Sequence, residues 1–201
     1  MPKLLSRIIR CLGALGCVAG GVLWALSPLG IHLSELKFKT PNFFWKLFPS
    51  APLLLLLGLV GLYFLCQEGR AGTWVKAGLL VTLLGILLTV VGDVGQFWFG
   101  VDNAHIMTAP AYRTFRVGLV ILGVGSVLFG LFGARAKMLP VWGILPFAIA
   151  SWAGLISFLR NLESLGAMLW IAFGAGWTCL GFALLIDLAV SFQRNRLAKR
   201  T

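Results

Sequence analysis

The sequence predicts an all-α polytopic membrane protein, a bundle of six transmembrane helices forming a single transmembrane domain over residues 1–201. Six apolar stretches carry this prediction, because nearly every charged residue falls between them. A helix rises about 1.5 Å per residue and the hydrocarbon core is about 30 Å thick, so a stretch of about 18 to 24 residues crosses once. With 59% hydrophobic and 11% charged residues, the chain has too little polar surface to cover a soluble globule.

The predicted helices cover residues 8–30, 49–66, 77–100, 117–134, 139–159 and 167–190. In the first helix, Gly13, Gly16 and Gly20 share one broad face. The second helix contains the leucine run at 53–57 and is expected to face lipid. In the third helix, glycine, threonine and polar residues recur at helical spacing over 78–96, which is typical of a packing face.

The remaining three helices are justified in the same way. Small residues recur over 123–133 in the fourth helix, and Gly174 and Gly181 lie on one face of the sixth. The fifth contains Pro140 and Pro146, which predict a kink near its start. Because helices in lipid associate by close approach of small residues, the first, third, fourth and sixth helices are expected to form a tight inner bundle.

The distribution of basic residues predicts the orientation. Of the 17 lysines and arginines, eleven lie at the N-terminus, in the loops after the second and fourth helices, and in the C-terminal tail. By the positive-inside rule, both termini are therefore expected in the cytoplasm. The basic start and first apolar run also fit a signal peptide with a cleavage site near residues 25–27, but we expect a retained first helix.

The net charge of +11 bears on whether the protein binds nucleic acid or membrane lipids. In a soluble protein this charge would suggest nucleic acid, but here the basic residues lie at helix ends, where they meet anionic lipid headgroups. We therefore expect membrane lipids and other membrane-protein subunits as partners, and no nucleic acid. The expected location is a bacterial or organellar inner membrane.

Four polar residues within or beside the helices form the intramembrane candidate site, and Asp93 is the most unusual of them. It lies on the same helical face as Thr89 and Gln96, so it is expected to point into the bundle. A charge near the membrane centre costs roughly 2.5 to 3.5 kcal/mol on insertion scales. The expected compensation is an ion pair with Arg116 or Arg113 at the start of the next helix. The alternative is a relay for protons or cations, or a ligand contact.

Asp187 is the other intramembrane carboxylate. It lies nearer the cytoplasmic end of the sixth helix, where Arg194 or interfacial water is expected to compensate it. Sliding the chain by 94 residues aligns Asp93 with Asp187, as an inverted repeat of two three-helix halves would require. The few identities in this alignment do not exceed what so leucine- and glycine-rich a chain produces by chance, and the repeat stays open.

An aromatic and histidine cluster is predicted on the outer surface. Its candidate ligand-binding residues are His32, Trp45, Trp98, His105 and Tyr112. Aromatic side chains at this depth usually form an interfacial belt, whereas a groove beside either histidine would fit a pigment, a quinone or a lipid. Neither histidine lies deep in a helix, so a buried haem is not expected.

No enzyme motif occurs in the sequence. The four cysteines form no CxxC pair and are expected to pack as small apolar residues, without a metal. The sequence identifies no cofactor. We therefore expect a non-enzymatic accessory or scaffolding subunit of a larger membrane complex, such as an energy-transducing one. The alternatives are a small transporter or channel using Asp93, and a pigment, quinone or lipid binder at the outer aromatic cluster.

Overall fold

The computed structural model describes residues 3–36, 42–67, 71–99, 110–160 and 163–197, and every regular element in these ranges is helical. The helices are α1 (Lys3–Leu36), α2 (Asn42–Leu47), α3 (Ser50–Leu65), α4 (Thr73–Asp93), α5 (Pro110–Arg135), α6 (Val141–Arg160) and α7 (Glu163–Leu197). A π-helical turn over Val94–Trp98 continues α4. The all-helical class is confirmed, and α2 is a short helix beside six long ones.

The helix boundaries differ most from the prediction where charged residues flank an apolar run. The α3 helix spans Ser50–Leu65, within one residue of the predicted range at each end. In contrast, α5 starts at Pro110 rather than residue 117, and α7 continues to Leu197 rather than residue 190. The prediction followed apolar content alone, whereas backbone hydrogen bonding continues through the charged residues at helix ends.

Within the described ranges, four helices are long and apolar enough to cross a membrane, by length and composition. They are the segments Leu5–Gly30, Thr73–Gln96, Pro110–Arg135 and Met168–Ser191. The α3 helix and the segment Val141–Ile156 of α6 are also apolar but shorter. These lengths are compatible with an integral membrane protein.

The six long helices form a closed ring in chain order, because each packs on its neighbours and α7 packs back on α1. Neighbours run antiparallel: Gly13 of α1 lies against Gly61 of α3, and Gly20 lies against Leu55. Since the directions alternate, α1 begins and α7 finishes at the same end of the ring. We call this end the terminal end and the opposite end, where α2 lies, the far end.

The α3 helix, which was expected to face lipid, is an integral member of this ring. Leu53 and Leu57 of its leucine run are 39% and 40% exposed, and a second face packs against α1. Gly58 lies against the Cys17 sulfur and backbone, and Gly61 lies against the backbone of Gly13. These glycines allow α1 and α3 to approach closely, and the leucine run hid this packing face. The predicted inner bundle of four helices is accordingly replaced by a ring of six.

The contact between α4 and α5 is the most extensive in the ring. Gly78, Gly85 and Gly92 of α4 each face the backbone of α5, and Gly118 and Gly125 of α5 each face the backbone of α4. Small residues on both helices bring the two backbones together, as predicted from their spacing. The interface holds the segment that carries Asp93 firmly against α5.

Aromatic side chains fill the interior of the ring. Phe48, between α2 and α3, is buried with its ring centroid 5.1 Å from that of Trp24 and 5.6 Å from that of Trp170. Phe147 of α6 lies edge-on to Trp177 of α7, with centroids 4.9 Å apart. Rings from α1, α6, α7 and the loop before α3 therefore interlock, and each pair is worth about 0.5 to 1.5 kcal/mol beyond its buried area.

Candidate functional site

Asp93 is the last residue of α4 and is completely buried, with 0% of its surface exposed. Neither carboxyl oxygen has a hydrogen-bond partner in the part of the chain that the structure describes. Buried carboxylates are almost always paired, hydrogen-bonded or bound to a cation, because an isolated buried charge is very costly. Of the two acidic side chains that the structure describes, Asp93 and Asp187, Asp93 is therefore the one that is fully buried and has no partner among the described residues.

The predicted ion pair of Asp93 with Arg116 or Arg113 is absent, because both oxygens of Asp93 lack a partner. Arg116 is half-buried and Arg113 is exposed on the first turns of α5. The sequence correctly placed the arginines at the start of the neighbouring helix. Their position on the neighbouring helix did not ensure an ion pair with Asp93, because pairing requires the charged groups to lie within about 4 Å of each other.

The threonines on the Asp93 face do not compensate it either. Thr82 donates its hydroxyl hydrogen to Gly78 O and Thr89 donates to Gly85 O, both at 2.8 Å. These bonds to the preceding turn satisfy the hydroxyls within α4. The polar stripe predicted on this helix is therefore internally satisfied as far as Thr89, and the unsatisfied group is Asp93.

A π-helical turn begins directly after Asp93 and contains the candidate residue Gln96, which is buried at 2% exposure. Gly92 and Gly95 lie on either side of the junction. Single π-turns within helices occur frequently at functional sites because they displace the helix register locally. Asp93 and Gln96 are both buried, one directly before this turn and one within it.

Asp187 forms an ion pair, but not with the predicted partner. Its Oδ2 lies 3.1 Å from Nη2 of Arg10 on α1, with side-chain exposures of 27% and 7% respectively. The pair joins the first and last helices near the terminal end and so closes the ring there. The side chain of Arg194 lies outside the described residues.

Arg10, the partner of Asp187, was not predicted from the sequence as a residue of the candidate site. It was assigned to a basic N-terminus, yet it is buried on α1. Arg10 lies three residues before Gly13 and seven before Cys17, on the face of α1 that packs against other helices. That spacing was the available signal for an inward-facing arginine.

Two residues of the predicted outer aromatic cluster are seen at the far end. Trp98 is 46% exposed and donates its indole N–H to Lys46 O at 3.0 Å, which ties the π-helical turn to α2. Tyr112 is half-buried, with its ring centroid 6.1 Å from that of Phe115. These two residues are held by different neighbours, and no contact between them is described.

The other three candidates of that cluster are only partly covered. His32 lies within α1 and Trp45 within α2, but their side chains are outside the described residues, as is the whole of His105. Within the described ranges, no group of three or more histidine, cysteine or acidic residues could hold a metal ion. The ligand-binding interpretation of this cluster stays a prediction.

Among the neutral side chains of the described helices, three buried polar atoms lack a hydrogen-bond partner: Ser126 Oγ, Trp24 Nε1 and Trp177 Nε1. A neutral hydroxyl or indole N–H without a hydrogen bond costs about 1 to 3 kcal/mol. An ionised carboxylate without a counter-charge costs far more. Asp93 is thus the unpartnered group whose burial is hardest to explain by packing alone.

Comparisons with protein-family models, with curated proteins and with solved structures yield no match to this chain.

Proposed function

We propose that this chain is an integral membrane transporter or channel in which Asp93 binds a proton or a small cation. The observation that carries the proposal is a fully buried carboxyl group with no partner for either oxygen among the described residues. An ionisable residue kept inside a transmembrane segment is expected to mark an ion or proton pathway.

The charge state of Asp93 supports this assignment. With no partner for either oxygen among the described residues, the group is stable at this position only when it carries a proton or accompanies a bound positive ion. Release of that proton or cation leaves an uncompensated negative charge in the protein interior. A movement that exposes Asp93 to water is therefore expected to accompany release, which is the basis of coupled transport.

The location of Asp93 indicates which segment would have to move for the carboxyl group to reach water. Twenty residues of helix, about 30 Å, separate it from Thr73 at the terminal end, so it lies toward the far end rather than at the midplane. The π-helical turn that follows it is held to α2 by the bond from Trp98 to Lys46. Rearrangement of this turn is the simplest route by which Asp93 would reach water on the far side.

Ion flux in liposomes tests the proposal. The purified chain is reconstituted with an internal pH dye, and a potassium diffusion potential drives proton entry, with sodium gradients tested in parallel. We expect flux above that of protein-free liposomes, and we expect Asp93→Asn to reduce it to the protein-free rate, because an amide binds neither a proton nor a cation at this site.

Asp187→Asn is the matched control, since it removes the other intramembrane carboxylate, which is already paired with Arg10. Rates are normalised to monodisperse reconstituted protein, and the control is expected to retain flux. Wild-type protein without flux of protons or sodium, or an Asp93→Asn variant that transports at the wild-type rate, contradicts the proposal.

A second candidate function, an accessory or scaffolding subunit of a larger membrane complex, is favoured by the packed interior. Trp24, Phe48, Phe173 and Trp177 are each at most 1% exposed and fill the ring with the protein's own side chains. A closed core of this kind suits a structural role. Under this alternative, gentle detergent extraction yields stoichiometric partner chains and liposomes containing the chain alone show no flux.

We also propose that the protein lies in a bacterial or organellar inner membrane and that all six long helices cross it. The terminal end then faces the cytoplasm. The excess of lysine and arginine at that end supports this orientation. In a variant with its native cysteines replaced, Phe99→Cys at the far end is expected to react with an impermeant thiol reagent in intact cells. Gly72→Cys, exposed at the terminal end, is expected to react only after permeabilisation.

The two labelling sites are matched in exposure, because Phe99 is exposed and a side chain at Gly72 would meet no atom within 4 Å. The reverse pattern of labelling overturns the orientation. Labelling of both sites in intact cells means that the number of helices crossing between them is even, which excludes α4 as a membrane span.

A further inference from the structure

A crevice separates the end of α3 from the start of α4 at the terminal end of the ring. It has a volume of about 370 Å³ including its open side, and its lining residues are Tyr63, Cys66, Gln67, Lys76, Leu79 and Leu80. These two helices make the least extensive contact of any neighbouring pair in the ring. The crevice is therefore a gap between ring members that opens on the periphery, where a bilayer would surround the protein.

The walls and the mouth of the crevice differ in chemistry. Leu79 and Cys66 are buried and Leu80 is 60% exposed, and these three side chains give the crevice apolar walls. At the mouth, Gln67 donates an amide hydrogen to the Tyr63 hydroxyl at 2.7 Å. An apolar groove with a polar mouth at a helix end matches the acyl chain and headgroup region of a phospholipid.

Lys76 places a positive charge at this mouth. Its side chain is exposed, and it forms no ion pair with any residue in the described ranges. The terminal end also contains most of the basic residues of the chain. Charge complementarity therefore favours an anionic occupant over a zwitterionic one, since a lysine near a membrane surface attracts anionic lipid.

We propose that this crevice binds one anionic phospholipid, with an acyl chain along Leu79 and Leu80 and the headgroup phosphate at Lys76. The site lies at the end opposite to Asp93 and requires only that the chain is inserted in a membrane. It is consistent with a cytoplasmic terminal end, because the cytoplasmic leaflet carries anionic lipid. Its failure would leave the transport proposal for Asp93 unaffected.

Native mass spectrometry of the full chain tests the site. Detergent-solubilised protein is mixed with equimolar phosphatidylglycerol and phosphatidylcholine that have identical acyl chains. We expect the wild-type chain to retain phosphatidylglycerol over phosphatidylcholine by about fivefold, the effect of one lysine at a membrane surface. Lys76→Gln is expected to remove this preference, whereas Lys76→Arg retains it because the charge is preserved.

Arg135→Gln is the matched control, because Arg135 is an exposed cation at the terminal end but on α5, away from the crevice. It is expected to leave the preference unchanged. Glycerophosphoglycerol, which has the headgroup but no acyl chains, is expected not to compete. Equal retention of both lipids by wild type, an equal loss in Arg135→Gln, or competition by the free headgroup overturns the proposal.

Discussion

Gly85→Val is expected to prevent the protein from folding into a stable bundle. A Cβ atom at Gly85 would fall on the backbone nitrogen and Cα of Leu122, and no side-chain rotation relieves a clash with backbone. The flanking contacts are equally close, since a Cβ at Gly78 would lie 2.6 Å from Phe129 N and one at Gly118 would lie 2.5 Å from Thr89 N. The helices can accommodate the valine only by separating along their length.

Separation of α4 from α5 would break the most extensive helix contact of the ring. Overpacking a well-packed core typically costs about 1 to 3 kcal/mol when side chains can shift, so we expect a loss of about 3 kcal/mol or more here. Thermal unfolding in detergent, followed by circular dichroism and by size-exclusion chromatography, measures the effect. The expected result is a large drop in melting temperature with aggregation.

Gly72→Ala is the control for this substitution. Gly72 precedes α4 with φ −69°, which any residue adopts, and a Cβ there meets no atom within 4 Å. Its melting temperature is expected to stay close to that of the wild type. A Gly85→Val variant that is as stable as Gly72→Ala would show that the two backbones do not approach as closely as the structure indicates.

Asp187→Asn is expected to lower the free energy of unfolding by about 2 kcal/mol. The substitution removes the carboxylate that neutralises Arg10, which is 7% exposed and lies 3.1 Å away. Removing one partner of a fully buried ion pair costs about 3 to 5 kcal/mol, and the 27% exposure of Asp187 reduces this because water screens the remaining charge. Denaturant titration in detergent measures the loss.

A double-mutant cycle separates the ion pair from other effects of these side chains. We expect Arg10→Gln combined with Asp187→Asn to recover part of the loss of either single variant, because the double variant removes both charges of the pair. Asp93→Asn is the matched carboxylate and is expected to leave stability unchanged or raise it, since no partner is lost. Additive losses in the double variant would show that the Arg10 to Asp187 pair contributes nothing.

The helical class and the approximate helix positions followed from the sequence because they depend on local chemistry. Apolar runs bounded by charges mark helices that can enter lipid, and they placed α3 to within one residue at each end. Small residues at helical spacing also identified the packing faces of α4 and α5 correctly. The expectation that α3 faces lipid left out the face that packs against α1, because that contact depends on which neighbours the chain brings together.

The sequence predicted the inward position of Asp93 but not the partners of the two carboxylates. Asp93 was identified as an inward-facing carboxylate from its position on a small-residue face, and it is fully buried. Its partner was predicted by proximity along the chain, and that pairing is absent. Asp187 was likewise assigned to a nearby basic residue, whereas its partner Arg10 lies on the first helix.

The sequence by itself therefore determined the hydrophobic helices, the packing faces of α4 and α5, and the inward position of Asp93. These properties arise from the period of the helix and the cost of placing charge in an apolar medium, which act over a few residues. Only the tertiary structure decided that α7 packs back on α1, that Arg10 meets Asp187, and that Asp93 has no hydrogen-bond partner among the residues it describes. Each of these depends on contacts between helices far apart in the chain, and such contacts depend on how whole surfaces pack, which no local pattern encodes.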